Sequence, residues 1–348
     1  MHSTAQHSQR IEYLDALRGF TMLLVVMTHV SGFVLGSDND ANFHYYIKQF
    51  RMPLFFFVSG FVFYKNKIKW SSSDIITFLK KKITVQIITP FIFLLCYIHI
   101  KDIALMDSLR DVDKSGYWFT FTLFNYFILY ILSQKVFDLF NISDKYRFTL
   151  LFLLGILLYN NFPINIIFRM GYSSVINYLG LTHLNYFIFF LFGCCIKKHF
   201  KQFENTIDKT ALIIIAVAIY FFVNLFIDIE NLNKHIQTNI SLILGVCGIL
   251  IIFSLFRKHQ TYFSSNNKIP NLLKFIGKRT LDIYLIHYFL IPFNMYKICP
   301  FFVENNIPII EFTVTFGITI LIVAGSLAIS SALRINNTMA HYLFGAKK

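Results

Sequence analysis

A chain of 348 residues that is 56% hydrophobic and 18% aromatic, with only 14% charged residues and a mean hydropathy of +0.57, is not a soluble globular domain, for which about a quarter charged residues is usual. A formal net charge of +14 would suit nucleic acid, but on so apolar a chain the excess of Lys and Arg follows from their retention on the cytoplasmic side of a membrane, so no nucleic-acid partner is expected. The chain reads as an all-α polytopic membrane protein. Its cysteines, Cys96, Cys194, Cys195, Cys247 and Cys299, have no metal-ligand spacing, and no metal is expected.

Apolar stretches long enough to cross about 30 Å of hydrocarbon fall at 14–36, 50–66, 83–100, 117–134, 147–162, 184–200, 210–228, 238–256, 273–294 and 308–333. They predict ten transmembrane helices in one bundle, with a single membrane domain over 1–348. Residues 163–183 fit a re-entrant or interfacial segment as well, which leaves nine or eleven spans open. If the N-terminus is inside and the chain alternates, 23 basic residues lie on the inner side. Eight lie on the outer side: Lys48, Arg51, Lys101, Arg110, Lys114, Arg169, Lys234 and Lys297. Both termini are therefore expected in the cytoplasm, and the protein in the inner (plasma) membrane. The polar head MHSTAQHSQR is followed by no cleavage pattern of a secretory signal.

An ionisable side chain inside a span is a functional candidate by default, because it costs several kcal/mol unless it meets a cavity or a partner. The first span holds Asp15, Arg18 and His29. Eleven residues at about 100° each bring Arg18 and His29 to one face, with a rise of about 16 Å between them. Asp15, one turn below, can pair with Arg18. Alone, Arg18 reads equally as a snorkelling interface anchor and His29 as a hydrogen-bonded interior histidine. Together they form a stripe that leads an anion from the inner face to a proton-transfer group, a task suited to imidazole, whose pKa lies near neutrality.

In 273–294 the arrangement recurs: His287 stands about 12 Å above Arg279, at a depth comparable to His29. Tyr284 shares its face, whereas Asp282 fits an interhelix contact on the inner side. A polar cluster that only ties helices together is the plainer reading of His287 and Tyr284. In FRMPLFFFVSGFVFY, Gly60 offers a close helix approach, and Ser59 lacks the surroundings of a nucleophile elbow. The lysines Lys80, Lys81 and Lys82 enter the third span, where they orient the chain or bind a polyanion.

These stretches together resemble the acyltransferase 3 family of integral membrane acyltransferases. The residues that carry the resemblance are YLDALRGFTMLLVVMTHV (13–30), FRMPLFFFVSGFVF (50–63), YWFTFTLF (117–124), LNYFIFFLFGCCIKK (184–198) and IGKRTLDIYLIHYFLI (276–291). The resemblance implies about ten spans, a cytoplasmic acyl-coenzyme A donor, most commonly acetyl-coenzyme A, and a hydroxyl acceptor on a carbohydrate, usually a cell-surface glycan or its lipid-linked precursor. It matches its catalytic histidine to His29 and its arginine to Arg18, and Asp15, His287 and Tyr284 join them as catalytic candidates from their places in the spans. Coenzyme A falls to Arg18, Lys80, Lys81 and Lys82, and the acceptor to Ser59, Arg51 and Trp118. Two departures stand out: Arg51 precedes Met-Pro where a histidine is common, and lysines hold 80–82 where arginines are usual. A transporter with an intramembrane Arg/His relay is the rival from another class, though inverted repeats are not evident. Nothing in the sequence reads the oligomeric state or the individual acceptor.

Overall fold

The computed structural model describes residues 11–35, 43–65, 71–161, 167, 170–207, 209–292, 299–305 and 307–345. The polar head, Arg169 and Lys297 lie outside them. Among the described residues all regular structure is helical. The first helix, α1, is Glu12–Leu35 and the second, α2, is Phe43–Phe63. α3 (Ser72–Ile83) runs through one π-helical turn, Thr84–Ile88, into α4 (Thr89–Lys101). Then follow α5 (Trp118–Leu139), α6 (Asp144–Tyr159), α7 (Phe187–Lys198), α8 (Thr210–Phe226) and α9 (Lys234–Lys258). The last long elements are α10 (Lys268–Lys278), α11 (Thr280–Leu290) and α12 (Pro308–Leu333).

Every predicted span falls on a helix, but length and composition mark only four as able to cross a bilayer: Glu12–Val34, Ser72–Lys101, Lys234–Lys258 and Pro308–Leu333. A fifth arises if Ser173–Leu179 and Leu184–Lys198, bent by 56°, form one span. The difference from ten has physical causes. α6, α8 and α11 are short, with 16, 17 and 11 residues, and α2 carries Lys48, Gln49 and Arg51 in its first half. Residues 163–166, 168 and 169 of the ambiguous 163–183 stretch are outside the described set. What is described there is the short helix Ser173–Leu179 of the bent pair.

α1 is the interior element. Of its most apolar window 67% is buried, against 28% for α12, and it packs on α2, α10, α11 and α12. Two glycine crossings draw helices to backbone contact. A Cβ on Gly19 would lie 2.0 Å from the Leu273 carbonyl, and one on Gly277 1.8 Å from that of Asp15, so α1 and α10 touch along their main chains. The same holds where α2 meets α7: a Cβ on Gly60 or Gly193 would sit 2.0 Å from the carbonyl of Phe190 or Phe57. Neither crossing tolerates any larger side chain without separating the helices. α10 and α11, broken at Arg279, run parallel to α1, with Arg18 beside Thr280 and His29 beside Tyr288. Asp282 ties this broken helix to α12: Arg334 donates to both its carboxylate oxygens at 2.8 Å, and Ser330 and Arg279 also reach it. It is the interhelix contact its position implied.

Candidate active site

Helical periodicity on α1 and its parallel course beside α11 create two polar levels. At the lower level, Arg18 donates to Thr280 Oγ1 at 2.9 Å and stands 3.8 Å from the buried Asp15 carboxylate. Lys82, half-buried at the end of α3, rests over the Phe127 ring at 4.7 Å, and its charge and that of Arg18 interact. Lys80 and Lys81 are exposed. Lys82 is thus within electrostatic reach of Arg18, while the other two lysines are at the surface.

At the upper level, His29 Nε2 lies 3.1 Å from Tyr288 Oη. Its ring centroid is 5.5 Å from that of His287 and 5.9 Å from that of Phe33. His29 is partly exposed whereas His287 is buried. His287 Nδ1 is 3.0 and 2.9 Å from the carbonyls of Ile283 and Tyr284. A carbonyl only accepts, so Nδ1 carries the proton and Nε2 presents a lone pair. That Nε2 is buried and has no hydrogen-bond partner.

The other predicted residues fall around this pair. Tyr284 Oη donates to the Gly116 carbonyl at 3.1 Å and accepts the Phe119 N–H at 3.2 Å, which pins the start of α5 to α11. Gly116 has φ +98° and packs against the Tyr288 ring, where a Cβ would come within 2.3 Å; only glycine fits both demands. Tyr117 adds a second pin, donating to Leu285 O at 2.9 Å. Ser59 donates to the Phe55 carbonyl at 2.8 Å within its own helix. Arg51 reaches from α2 to donate to Thr28 Oγ1, beside His29. The Trp118 ring lies 4.0 Å from that of His183, whose Nε2 is 3.2 Å from Asp113 Oδ1. Arg51 joins the two groups, since its charge is felt at His29 and Tyr288 and also at Asp113 and Tyr186.

Three of these contributors escaped sequence reasoning. Tyr288 was recoverable: it lies four residues after Tyr284, and so on one face with it. Asp113 and His183 sit in separate connections between helices, and no period joins them. The loop that carries Asp113 is held by Lys114, which is fully buried and donates to the carbonyls of Asn177 at 2.6 Å and Leu109 at 3.2 Å. Burial pushes the pKa of that ammonium down, and the two carbonyls compensate part of the cost. No group of His, Cys, Asp or Glu able to hold a metal is found among the described residues.

A family model described as an acyltransferase domain matches residues 11–331. No curated protein and no solved structure matches the chain.

Proposed function

We propose, on the ground that this chain belongs to the acyltransferase 3 family, that it is a membrane O-acyltransferase moving an acyl group, acetyl first among them, from cytoplasmic acyl-coenzyme A to a carbohydrate hydroxyl. The observation that carries the reading is the two-level stripe on α1: a cation pair, Arg18 with Lys82, at one level and a partly exposed, tyrosine-bound histidine about 16 Å along the helix at the other. With both termini in the cytoplasm, as the distribution of Lys and Arg along the sequence suggests, the cation level lies at the inner face of the plasma membrane. The coenzyme A phosphates bind there, with Lys80 and Lys81 at the entrance, and the pantetheine arm rises to His29. The acceptor, a cell-surface glycan or its lipid-linked precursor, enters from the opposite side past Trp118, Arg51 and Ser59.

In the working tautomer His29 donates Nε2–H to Tyr288 Oη, and Nδ1 is the base. The acceptor oxygen attacks the thioester carbonyl carbon while its proton passes to His29. The carbonyl oxygen becomes an oxyanion. When the oxyanion collapses and the C=O double bond re-forms, the C–S bond breaks and the leaving thiolate takes the proton from His29, so the ester is released and the enzyme returns to its starting state.

The test is thiol release from acetyl-coenzyme A by detergent-purified protein, with and without an extract of cell-envelope glycans. Release that depends on the extract is expected. Absence of release with acetyl-, propionyl- and longer acyl-coenzyme A, in protein that elutes as a single folded species, would contradict the reading and favour a transport relay.

A further inference from the structure

An oxyanion forming beside His29 needs hydrogen-bond donors that are already in place. The groups that sequence order puts nearest are all committed. Tyr284 gives its O–H to Gly116, Ser59 gives its O–H to Phe55, and His287 gives its N–H to the backbone, leaving only a lone pair. Tyr288 keeps its O–H when its oxygen accepts from His29 Nε2, but of the three groups named none has a proton free to donate.

Arg51 has. Its guanidinium carries five N–H donors, of which one is used on Thr28 Oγ1. Nε is buried and makes no hydrogen bond. The tether matters for placement, because Thr28 is the residue before His29 and fixes the guanidinium at the same level of the bundle. Apart from the exposed Arg110, which donates to Tyr178 Oη, the other described arginines have carboxylate partners, and this sets Arg51 apart. Arg257 meets Glu204 at 2.7 Å, Arg147 meets Asp138 at 2.7 Å, and Arg334 meets Asp282 at 2.8 Å. Among the described residues Arg51 has a neutral hydroxyl and no carboxylate within ion-pair distance. A charge partly withdrawn from water, with the Asp113 carboxylate felt only from beyond ion-pair distance, is costly. That cost is offset when an anion forms next to it, which here happens only during the reaction.

We infer that Arg51 is a catalytic residue, whose free guanidinium N–H groups receive the carbonyl oxygen of the thioester as it becomes an oxyanion in acyl transfer at His29. The inference rests on the acyltransferase reading and adds a chemical role to a residue the sequence offered only as an acceptor contact. As the acceptor oxygen adds to the carbonyl carbon, the π electrons move onto oxygen and into the Arg51 hydrogen bonds. As the thiolate leaves, they return and the bonds slacken. The interaction is strong in the transition state and weak in the ground state, so it acts on kcat rather than on binding.

The experiment is a kinetic comparison of wild type, Arg51→Gln, Arg51→Lys and Arg51→Ala in detergent, with acetyl-coenzyme A as donor and the envelope-glycan extract as acceptor. Single-species elution is the check that each variant is folded. Expected is a fall in kcat of about 10²–10³-fold for Arg51→Gln and Arg51→Ala, with KM for acetyl-coenzyme A within about threefold of wild type. Arg51→Lys keeps the charge but not the fork and is expected between them and wild type; it also carries the test if the other two do not fold. Methylguanidinium added to Arg51→Ala should restore part of kcat, and methylammonium at the same ionic strength should not. A rise in KM at unchanged kcat, or wild-type turnover in Arg51→Ala, would overturn the role and leave the acyltransferase reading standing. A folded wild type that transfers nothing in this assay would overturn that reading, and this role with it.

Discussion

The two ends of α1 treat charge in opposite ways. Around Arg18 most cations are matched to carboxylates, Arg18 to Asp15, Lys274 to Glu12, Arg279 and Arg334 to Asp282, while Lys82 rests on an aromatic ring. Nearest His29 the polar groups meet neutral partners instead, and carboxylates enter only farther out, Glu311 at Ser31 and Asp113 at His183. His29 meets a tyrosine, Arg51 a threonine, and His287 Nε2 nothing. Matched charges hold helices together and lose much of their free energy when one partner is removed. Unmatched ones leave capacity for a substrate or a transition state. On the proposed reading the Arg18 end is largely architecture that doubles as an anion site, and the His29 end is held in readiness for chemistry.

Substitutions at the two ends should separate these roles, and the widest separation is expected from His29→Ala. It should cost about 10³-fold or more in kcat while the detergent thermal midpoint stays within a degree or two of wild type. Near-normal turnover would remove His29 from the mechanism. Asp282→Ala should do the reverse. It strips Arg334 and Arg279 of their carboxylate and should destabilise the fold by about 2–3 kcal/mol, less than for a fully buried pair because both arginines keep some solvent. Turnover per folded molecule should hold. Arg18→Ala lies between the two, and a rise of about tenfold in KM for acetyl-coenzyme A is expected. An unchanged KM would end its role as the anion site. Tyr288→Phe keeps the ring and removes the hydroxyl on His29 Nε2, with an expected loss of about five- to tenfold in kcat, the worth of one hydrogen bond. The smallest effect belongs to Lys80→Ala and Lys81→Ala. Both side chains are exposed and screened, so less than a twofold change in donor KM is expected, against a larger one for Lys82→Ala.

What could be read in the sequence depended on periodicity. The Arg18 and His29 stripe, the parallel run at 273–294 and the interhelix place of Asp282 all follow from 3.6 residues per turn, and the helices realise each of them. The count of ten spans rested on hydropathy, which does not distinguish a helix facing lipid from a short or polar-edged one lodged among its neighbours. α2 is the instructive case, because nine of its residues are buried and its first half is polar. The site itself was visible one helix at a time. Arg51 was noticed as a basic residue before Met-Pro, but only the packing of α2 on α1 shows that it reaches Thr28. The Asp113 and His183 contact joins two connecting segments and has no periodic signature.

The central claim is that the acyl donor binds at the Arg18 end and transfer occurs at the His29 end, across the membrane. The direct test uses sealed proteoliposomes of one orientation, with labelled acetyl-coenzyme A supplied only on the face that carries the termini and the envelope-glycan extract only on the other. Label on the glycan with wild type, and none with His29→Ala, is the predicted result. Label that appears only when donor and acceptor share one face, or that appears equally with His29→Ala, would contradict it.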